Sequence, residues 1–302
     1  MTHFRTFEQH RLLAGVLFIA PALLVLAAIL GYPILESFVL GFQRVRLAAG
    51  ALEKTPVGFD NYVAMFQDGT FLKALANTAY FTFMEVVLVI AISMSIAVLL
   101  QHPLGKGGFF RILLIVPWAI APVANAVLWK WILNSNYGIL NTILQGAGVI
   151  DRTHVWLGTP GSALNFLLLA DVWKSVPFIA LLLLAGLQRV PQTLYKAAYM
   201  DGANRVQTFL AVTMPSMKGA IAIAVVLQTI WSLRVFDIVF VLTRGGPADG
   251  TVLLNFLAYR TTFNFLQIGM GAAIANLIFV ATFALAVVYV LLVSTKRGGA
   301  VR

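Results

Sequence analysis

Six long apolar runs alternate with shorter polar segments along this 302-residue chain. They occupy residues 12–40, 77–101, 110–133, 163–187, 219–243 and 268–294. A helix needs ~20 predominantly apolar residues to cross the hydrocarbon core of a bilayer, and each run is near or above that length. The pattern therefore predicts an all-α bundle of six transmembrane helices in a single domain, 1–302. The first run is expected to be retained as a helix rather than cleaved as a signal peptide.

The composition agrees with a helix bundle that faces lipid. Hydrophobic residues make up 60% of the chain and charged residues 11%, and the mean hydropathy is +0.90. A soluble domain averages about 25% charged residues. The net charge of +10 is explained by Lys and Arg in cytoplasmic loops and at helix ends, so nucleic acid is not expected as a partner. The absence of cysteine excludes disulfides, thiol nucleophiles and cysteine metal sites.

Lys and Arg also predict the orientation of the chain in the membrane. If both termini are cytoplasmic, eleven of these residues lie in inside segments and eight in outside segments, which follows the positive-inside bias. The polar segment 188–218, between the fourth and fifth runs, is then cytoplasmic.

That cytoplasmic segment contains the sequence KAAYMDGANRVQTFLAVTMPSMK at residues 196–218. Gly202 follows an acid, and Pro215 stands just before the fifth apolar run. A structured polar helix between two membrane spans is typical of a docking surface rather than of a simple connector. We therefore expect a partner protein to bind at this segment.

Several ionisable side chains lie inside the predicted spans, where each is costly and needs a reason. Asp171 and Lys174 are three residues apart in the fourth run, and Arg234 and Asp237 are three apart in the fifth. Each pair can bridge along its own helix, or Asp171 can pair with Arg234 across the bundle, because both lie at a similar depth. These charges neutralise one another, line a substrate path, or do both. Glu85 is expected to be a buried partner or a cavity-facing group, and the sequence does not identify its partner.

Two helix faces combine such polar groups with aromatic rings. An aromatic ring beside hydrogen-bonding groups suits a sugar, because the ring packs on C–H faces while the polar groups bind the hydroxyls. The first face lies on the fourth helix and has the spacing i, i+3, i+4, i+7. The second face lies on the fifth helix. Arg234 flanks this second face, and helical phase directs Asp237 away from it. The candidate substrate-path residues are Asp171, Lys174, Ser175 and Phe178 on the fourth helix and Gln228, Trp231, Ser232 and Arg234 on the fifth.

The polar segment also carries a family resemblance. It has two alanines, three further residues, Gly202, nine residues, Val212, one residue, and then Met214 and Pro215. This pattern resembles the EAA coupling loop of the inner-membrane permeases of ABC importers. Other segments resemble the carbohydrate-uptake, maltose-type branch of that family: VGFDNYVAMF (57–66), ALANTAYFT (74–82), PWAIAPV (117–123), YGILN (137–141), DVWKSVPF (171–178), LLLLAGLQRVP (181–191) and VFDIVFVLTRGGP (235–247).

The resemblance implies the type I importer fold, a bundle of six spans paired with a second permease. It also implies that the polar segment forms a coupling helix in a cleft of the ATPase. The family usually has Glu at the position of Lys196, so the charge is reversed here. In the maltose-type permease the two helix faces hold the sugar, which matches seven of the substrate-path residues, all but Arg234. The implied ATPase contacts are Lys196, Ala197, Ala198, Asp201, Gly202, Ala203 and Pro215.

The expected activity is transport rather than catalysis. The chain has no G-x-x-x-x-G-K-[ST] phosphate-binding loop, so a partner ATPase dimer is expected to bind ATP and Mg²⁺, and this chain is expected to hold no cofactor or metal. The resemblance implies import of a mono-, di- or oligosaccharide such as trehalose or maltose, by alternating access across a bacterial or archaeal cytoplasmic membrane. An extracytoplasmic sugar-binding protein would deliver it. Lys174 and Arg234 also leave room for a phosphorylated polyol.

Two other classes of protein remain for comparison. An intramembrane serine protease needs a nucleophile and a base on facing helices, and all four histidines lie in predicted loops or termini, which disfavours that class. An ion-coupled carrier or channel working without an ATPase is the main alternative, with Asp171, Glu85 and Asp237 as candidate proton carriers. Uptake with ATP withheld separates this alternative from an importer.

Overall fold

A computed structural model describes residues 2–48, 51–101 and 108–294. This part of the chain is mainly helical, as the apolar runs predict, with one β-hairpin and short π-helical turns at several helix ends. The helices are α1 (Thr2–Leu26), α2 (Tyr32–Gly41), α3 (Asp60–Gln67), α4 (Gly69–Gln101), α5 (Gly108–Ala119), α6 (Pro122–Ile132), α7 (Ile139–Gly146), α8 (Pro160–Leu187), α9 (Gln192–Met200), α10 (Arg205–Thr208), α11 (Met214–Ser216), α12 (Lys218–Leu233), α13 (Leu254–Tyr259) and α14 (Ile268–Ser294).

The hairpin is a departure from the predicted all-α fold. Strand β1 (Gln43–Ala48) pairs antiparallel with β2 (Ala51–Pro56), in a register that sets Gln43 opposite Pro56 and Ala48 opposite Ala51. Its residues mix charged and small apolar side chains. Local hydropathy therefore marks the hairpin only as a polar segment between spans.

The chain divides into two compact units. The first contains the residues up to Met65 together with Ala258–Asn276. The Asn276 side chain joins its parts, because its amide donates to the Ser37 carbonyl at 3.1 Å and to the Tyr62 hydroxyl at 3.2 Å. Close backbone approach adds to this packing, since a Cβ on Gly269 would stand 1.9 Å from the Gln43 carbonyl oxygen.

The second unit contains Phe66–Leu257 and the residues from Leu277 onward. Helix α8 is its central element, because 56% of its apolar window is buried. Pro177 within α8 lacks the N–H that a helix interior normally uses. Nearby polar groups of neighbouring helices bind α8 carbonyls: Ser93 Oγ donates to Val176 O at 3.0 Å, and Asn125 Nδ2 donates to Ala170 O at 3.3 Å. The carbonyl that loses its helical partner at Pro177 is that of Trp173, so these two bonds hold α8 to its neighbours rather than replace the missing one.

Four helices in the described part of the chain are long and apolar enough to cross a membrane. They are Ala14–Gly41, Gly69–Gln101, Pro160–Leu187 and Ile268–Tyr289. A fifth candidate is the bent pair Arg205–Ser216 and Lys218–Leu233, whose halves meet at 71°. The predicted count of six spans is therefore not confirmed.

The third predicted run, 110–133, contains a break. Helix α5 ends at Ala119, and α6 begins at Pro122 after an extended Ala121 with ψ of 143°. A residue that precedes proline is biased toward this extended conformation. The two helices have 12 and 11 residues, and each is too short to cross the hydrocarbon core alone.

The fifth predicted run, 219–243, is also interrupted. Helix α12 ends at Leu233, residues 234–236 are irregular, and helical structure resumes at Asp237. The run therefore does not form one continuous helix. Helical phase counted from α12 does not apply beyond Leu233.

Candidate functional site: a polar cavity beside an aromatic cluster

A cavity of about 280 Å³ lies inside the second unit. Its walls come from α4, the break between α5 and α6, α8, and the break that follows α12. Both interruptions of the apolar runs therefore border the same space. The lining side chains are Glu85, Trp118, Pro122, Asn125, Asp171, Lys174, Ser175, Trp231, Arg234, Val235, Phe236, Asp237 and Ile238.

Five of the eight predicted substrate-path residues line this cavity. Asp171, Lys174 and Ser175 share one face of α8, as their spacing predicts, and Trp231 and Arg234 come from the end of α12. The structure thus brings together two helix faces that are separated by about sixty residues of sequence. Their assignment to a substrate path stays a prediction.

Phe178, a sixth predicted residue, belongs to an aromatic cluster beside the cavity. Its ring lies 5.2 Å from the ring of Trp118, nearly parallel to it, and 5.2 Å from the ring of Trp231. The two tryptophans are partly exposed, 43% for Trp118 and 37% for Trp231. Phe178 therefore packs against two accessible indoles.

The remaining two predicted residues, Gln228 and Ser232, are buried within α12. Gln228 Nε2 donates to Glu85 Oε1 at 2.6 Å, which identifies the partner that the sequence left open for Glu85. Glu85 is both a buried partner and a cavity-lining group. Ser232 is 1% exposed and lies one helical turn beyond Gln228, so both residues support the wall rather than form it.

The charged groups of the cavity do not pair directly. Asp171, Lys174, Arg234 and Asp237 form no ion pair within 4.0 Å with any residue that the structure describes. Neither predicted arrangement, bridging along each helix or pairing across the bundle, is realised as a direct contact. Charges of both signs instead face one cavity and remain available to a bound molecule.

The prediction that Asp237 points away from the second face is wrong, because Asp237 lines the cavity. The physical reason is the end of α12 at Leu233. An α-helical residue advances by 100° around the axis, but the irregular residues 234–236 redirect the chain before Asp237 is reached.

Sequence reasoning missed Trp118 and Asn125 as cavity residues. Both stand next to the break between α5 and α6, and Asn125 is 1% exposed. The available indication was the pair Pro117 and Pro122, which marks an interrupted helix inside an apolar run. Interrupted helices at membrane depth are tolerated where they border a cavity.

The predicted coupling contacts lie on a well-defined turn. Lys196, Ala197 and Ala198 are on α9, and Asp201, Gly202 and Ala203 follow its end. The Ala203 N–H donates to Ala198 O at 3.0 Å, and the Gly202 N–H donates to Tyr199 O at 3.1 Å. With φ of +77° at Gly202, this is a Schellman motif, in which glycine adopts the left-handed conformation at low cost.

The segment after this turn is folded back against α9. The Tyr195 and Thr213 hydroxyls are 3.2 Å apart, and Asn204 and Gln207 form a reciprocal capping box at the start of α10. Pro215 lies in α11 and is exposed. Lys196 and Ala197 are also exposed, and Met200 is 88% exposed. The turn therefore presents a mixed polar and apolar surface.

Comparison with known families decides the identity of the chain. Residues 90–297 match the profile of the "Binding-protein-dependent transport system inner membrane component" family. The chain belongs to this family. It is thus a multi-pass permease of the inner membrane, and the family carries the EAA coupling motif that residues 196–215 resemble.

Curated relatives place the permease in more detail. It is 38% identical to the trehalose/maltose transport system permease protein MalF of Thermococcus litoralis over 91% of this chain and 92% of the relative. It is 34% identical to the sulfoquinovosyl glycerol transport system permease protein SmoG of Agrobacterium fabrum over 95% of this chain and 92% of the relative. These matches confirm the resemblance to ABC importer permeases of the carbohydrate branch.

Solved structures confirm the fold. A chain of a bacterial ABC transporter that imports the acidic polysaccharide alginate matches the whole permease with a TM-score of 0.78 and 20% identity. A chain of the alginate transporter in complex with an alginate pentasaccharide-bound periplasmic protein has the same TM-score and identity, with 95% of both chains covered. The permease therefore has the fold of an ABC importer permease.

Proposed function

We propose that this permease moves a sugar across the cytoplasmic membrane by alternating access, driven by separate ATPase subunits. The observation that carries the proposal is the cavity between α8 and the end of α12, where the Trp118–Phe178–Trp231 cluster borders unpaired charges. Two relatives over 30% identical are named for sugar or sugar-derivative transport. The proposed substrates are mono-, di- or oligosaccharides such as trehalose or maltose.

The cavity offers both kinds of contact that a sugar needs. The exposed faces of the two tryptophans pack on the apolar C–H face of a sugar ring. Lys174 and Arg234 donate to hydroxyl oxygens, and Asp171 and Asp237 accept from hydroxyl hydrogens. The volume of about 280 Å³ is at the lower limit of typical ligand pockets, ~300 Å³. We infer that one or two sugar rings are held at a time.

The proposed assembly contains this permease, a second permease, an ATPase dimer and an extracytoplasmic sugar-binding protein. We propose six spans with both termini in the cytoplasm, in which α5 and α6 together form the third span. ATP and Mg²⁺ are bound by the ATPase subunits. Support comes from the solved neighbours, which are ABC transporter chains, one of them in complex with a ligand-bound periplasmic protein.

Coupling is proposed at the turn after α9. Closure of the ATPase dimer on ATP would move α9 through contacts at the exposed face of the turn. The motion would reach α12 through the folded segment that follows. The proposed contacts are Lys196, Ala197, Ala198, Asp201, Gly202, Ala203 and Pro215.

A tagged pull-down from membranes in mild detergent tests this proposal. We expect mass spectrometry to find an ATPase and a second, similar permease with the tagged chain. Recovery of this chain alone, under conditions that preserve other membrane complexes, would favour the ion-coupled carrier instead.

A further inference from the structure

Two buried oxygen atoms in the cavity lack hydrogen-bond partners. Glu85 Oε2 and Asn125 Oδ1 have none among the described residues, although each residue is only 1% exposed and lines the cavity. A buried polar atom without a partner costs free energy. These two oxygens therefore point to a ligand that supplies the missing donors.

The neighbouring hydrogen bonds fix the Asn125 oxygen as an acceptor, and Glu85 Oε2 is an acceptor when the carboxyl group is ionised. Gln228 Nε2 donates to Glu85 Oε1 at 2.6 Å, and Asn125 Nδ2 donates to the Ala170 carbonyl at 3.3 Å. A carbonyl accepts only, so the Asn125 amide must direct its nitrogen to Ala170 and its oxygen elsewhere. The assignment follows from the chemistry of the neighbours.

A third acceptor lines the same cavity, because the Asp171 carboxyl group is also part of its wall. We call Glu85, Asn125 and Asp171 the acceptor floor. The cationic Arg234 is exposed, as are the two tryptophans, whereas Glu85 and Asn125 are buried.

We propose that the acceptor floor binds a diol face of the transported sugar through its hydroxyl hydrogens, with Glu85 as a specificity-determining residue. This inference rests on the proposed function. Neighbouring ring hydroxyls present two donors a few ångströms apart, which suits a row of acceptors. The acceptor floor offers no cation to an anionic substituent, so any such group on the sugar would bind Lys174 and Arg234, the cations of the cavity wall.

The test is uptake into proteoliposomes by the complete transporter with its binding protein. The probes are trehalose, maltose and sulfoquinovosyl glycerol, followed by deoxyfluoro analogues of whichever sugar is transported. Fluorine accepts hydrogen bonds but cannot donate them. In the wild type we expect replacement of a floor-bound hydroxyl to lower uptake about tenfold or more, as for a lost hydrogen bond to a charged group.

The diagnostic variant is Glu85→Gln. Its carbonyl keeps the bond from Gln228, so its amide N–H₂ replaces Oε2 and turns an acceptor into a donor. We expect uptake of the parent sugar to fall about tenfold and the penalty for one fluorine position to disappear. The binding protein has its own preference among the sugar analogues. This preference cancels when the wild type is compared with the variant, because the same binding protein delivers the sugar to both transporters. Glu36→Gln is the matched control, since Glu36 pairs with Lys54 outside the cavity, and it should keep the wild-type fluorine penalties.

The outcomes separate the two proposals. If the wild type transports no sugar with ATP, the proposed function fails. If it does and every fluorine penalty is unchanged in Glu85→Gln, the acceptor floor is overturned. Dependence of wild-type uptake on sodium ions would also overturn it, because a cation would then satisfy the oxygens. Asp171→Asn repeats the measurement if Glu85→Gln assembles poorly.

Discussion

At the scale of single residues, the hydrogen bond between Gln228 and Glu85 holds α12 against α4. Both side chains are almost completely buried, so each depends on the other for a partner. Removing one leaves the other unsatisfied, whereas replacing both with apolar groups of similar size removes the polar cost as well.

A double-mutant cycle tests this dependence. We expect Gln228→Leu and Glu85→Leu each to lower the free energy of unfolding by about 1–3 kcal/mol. The double variant should lose less than the sum, with a coupling of about 1 kcal/mol, as for polar pairs in other membrane proteins. Equilibrium unfolding in mixed micelles measures these values. Ser95→Ala is the control, because Ser95 bonds only to Ala91 of its own helix; additive losses would contradict the pairing.

Trp231 belongs both to the aromatic cluster and to the cavity wall. We expect Trp231→Leu to lower ATP-driven sugar uptake about tenfold while the complex still assembles, because the packing surface for the sugar ring is lost. Trp131→Leu serves as its control, since Trp131 is 65% exposed and packs against Tyr137. Uptake of labelled sugar by membrane vesicles gives the comparison. Equal uptake by the two variants would remove Trp231 from the substrate path.

At the scale of secondary-structure elements, the Schellman turn after α9 depends on Gly202. A Cβ at this position would meet no atom within 4 Å, so only the left-handed backbone and any added charge limit substitution. Asn and Asp tolerate this conformation better than other non-glycine residues. The site therefore allows a charge to be tested separately from backbone strain.

We expect Gly202→Asp to uncouple ATP hydrolysis from transport, because it adds a negative charge beside the carboxyl end of α9, where a helix disfavours anions, and on the proposed ATPase contact. Gly202→Asn has nearly the same shape without the charge and should retain most coupled uptake. The ratio of sugar transported to ATP hydrolysed in proteoliposomes is the measurement. Normal coupling in the Asp variant would argue against docking at this turn.

Helix α14 packs tightly against strand β1 at Gly269. We expect Gly269→Ala to lower the free energy of unfolding by about 1–3 kcal/mol through overpacking, since the new methyl group would collide with the Gln43 carbonyl. The control is Gly219→Ala on α12, where space is open and alanine favours the helix. Thermal stability of the purified protein distinguishes them, and equal values would contradict the close packing.

Hydropathy predicts elements better than it predicts their breaks. The apolar runs at residues 77–101, 163–187 and 268–294 correspond closely to α4, α8 and α14. The break before Pro122 has a sequence cause, but residues 234–236 contain neither proline nor glycine, so nothing local announces the end of α12. Tertiary packing determines that break.

The same contrast holds for the candidate site. Helical spacing correctly grouped Asp171, Lys174 and Ser175, because α8 is continuous there. It misplaced Asp237, which lies beyond a break. Glu85 could not be assigned a partner, because its contact with Gln228 joins residues 143 positions apart and depends on how α4 packs against α12.

At the scale of the whole molecule, the energy source distinguishes an importer from an ion-coupled carrier. We expect vesicles containing the complete transporter to accumulate sugar only when ATP is present on the cytoplasmic side. An imposed ion gradient without ATP should give no accumulation. Vesicles with a catalytically inactive ATPase are the control, and gradient-driven uptake by them would favour the carrier.

The continuity of α12 has a mechanical consequence. One end of this helix follows the proposed coupling segment, and the other carries Trp231 into the cavity wall. Its 16 residues span about 24 Å at ~1.5 Å per residue, with no proline inside to absorb bending. A rigid rod of that length acts as a lever: a tilt of roughly 10° about the end that follows the coupling segment would displace the tryptophan by about 4 Å. A small rotation imposed at the proposed coupling segment would then be enough to rebuild the surroundings of a sugar bound in the cavity.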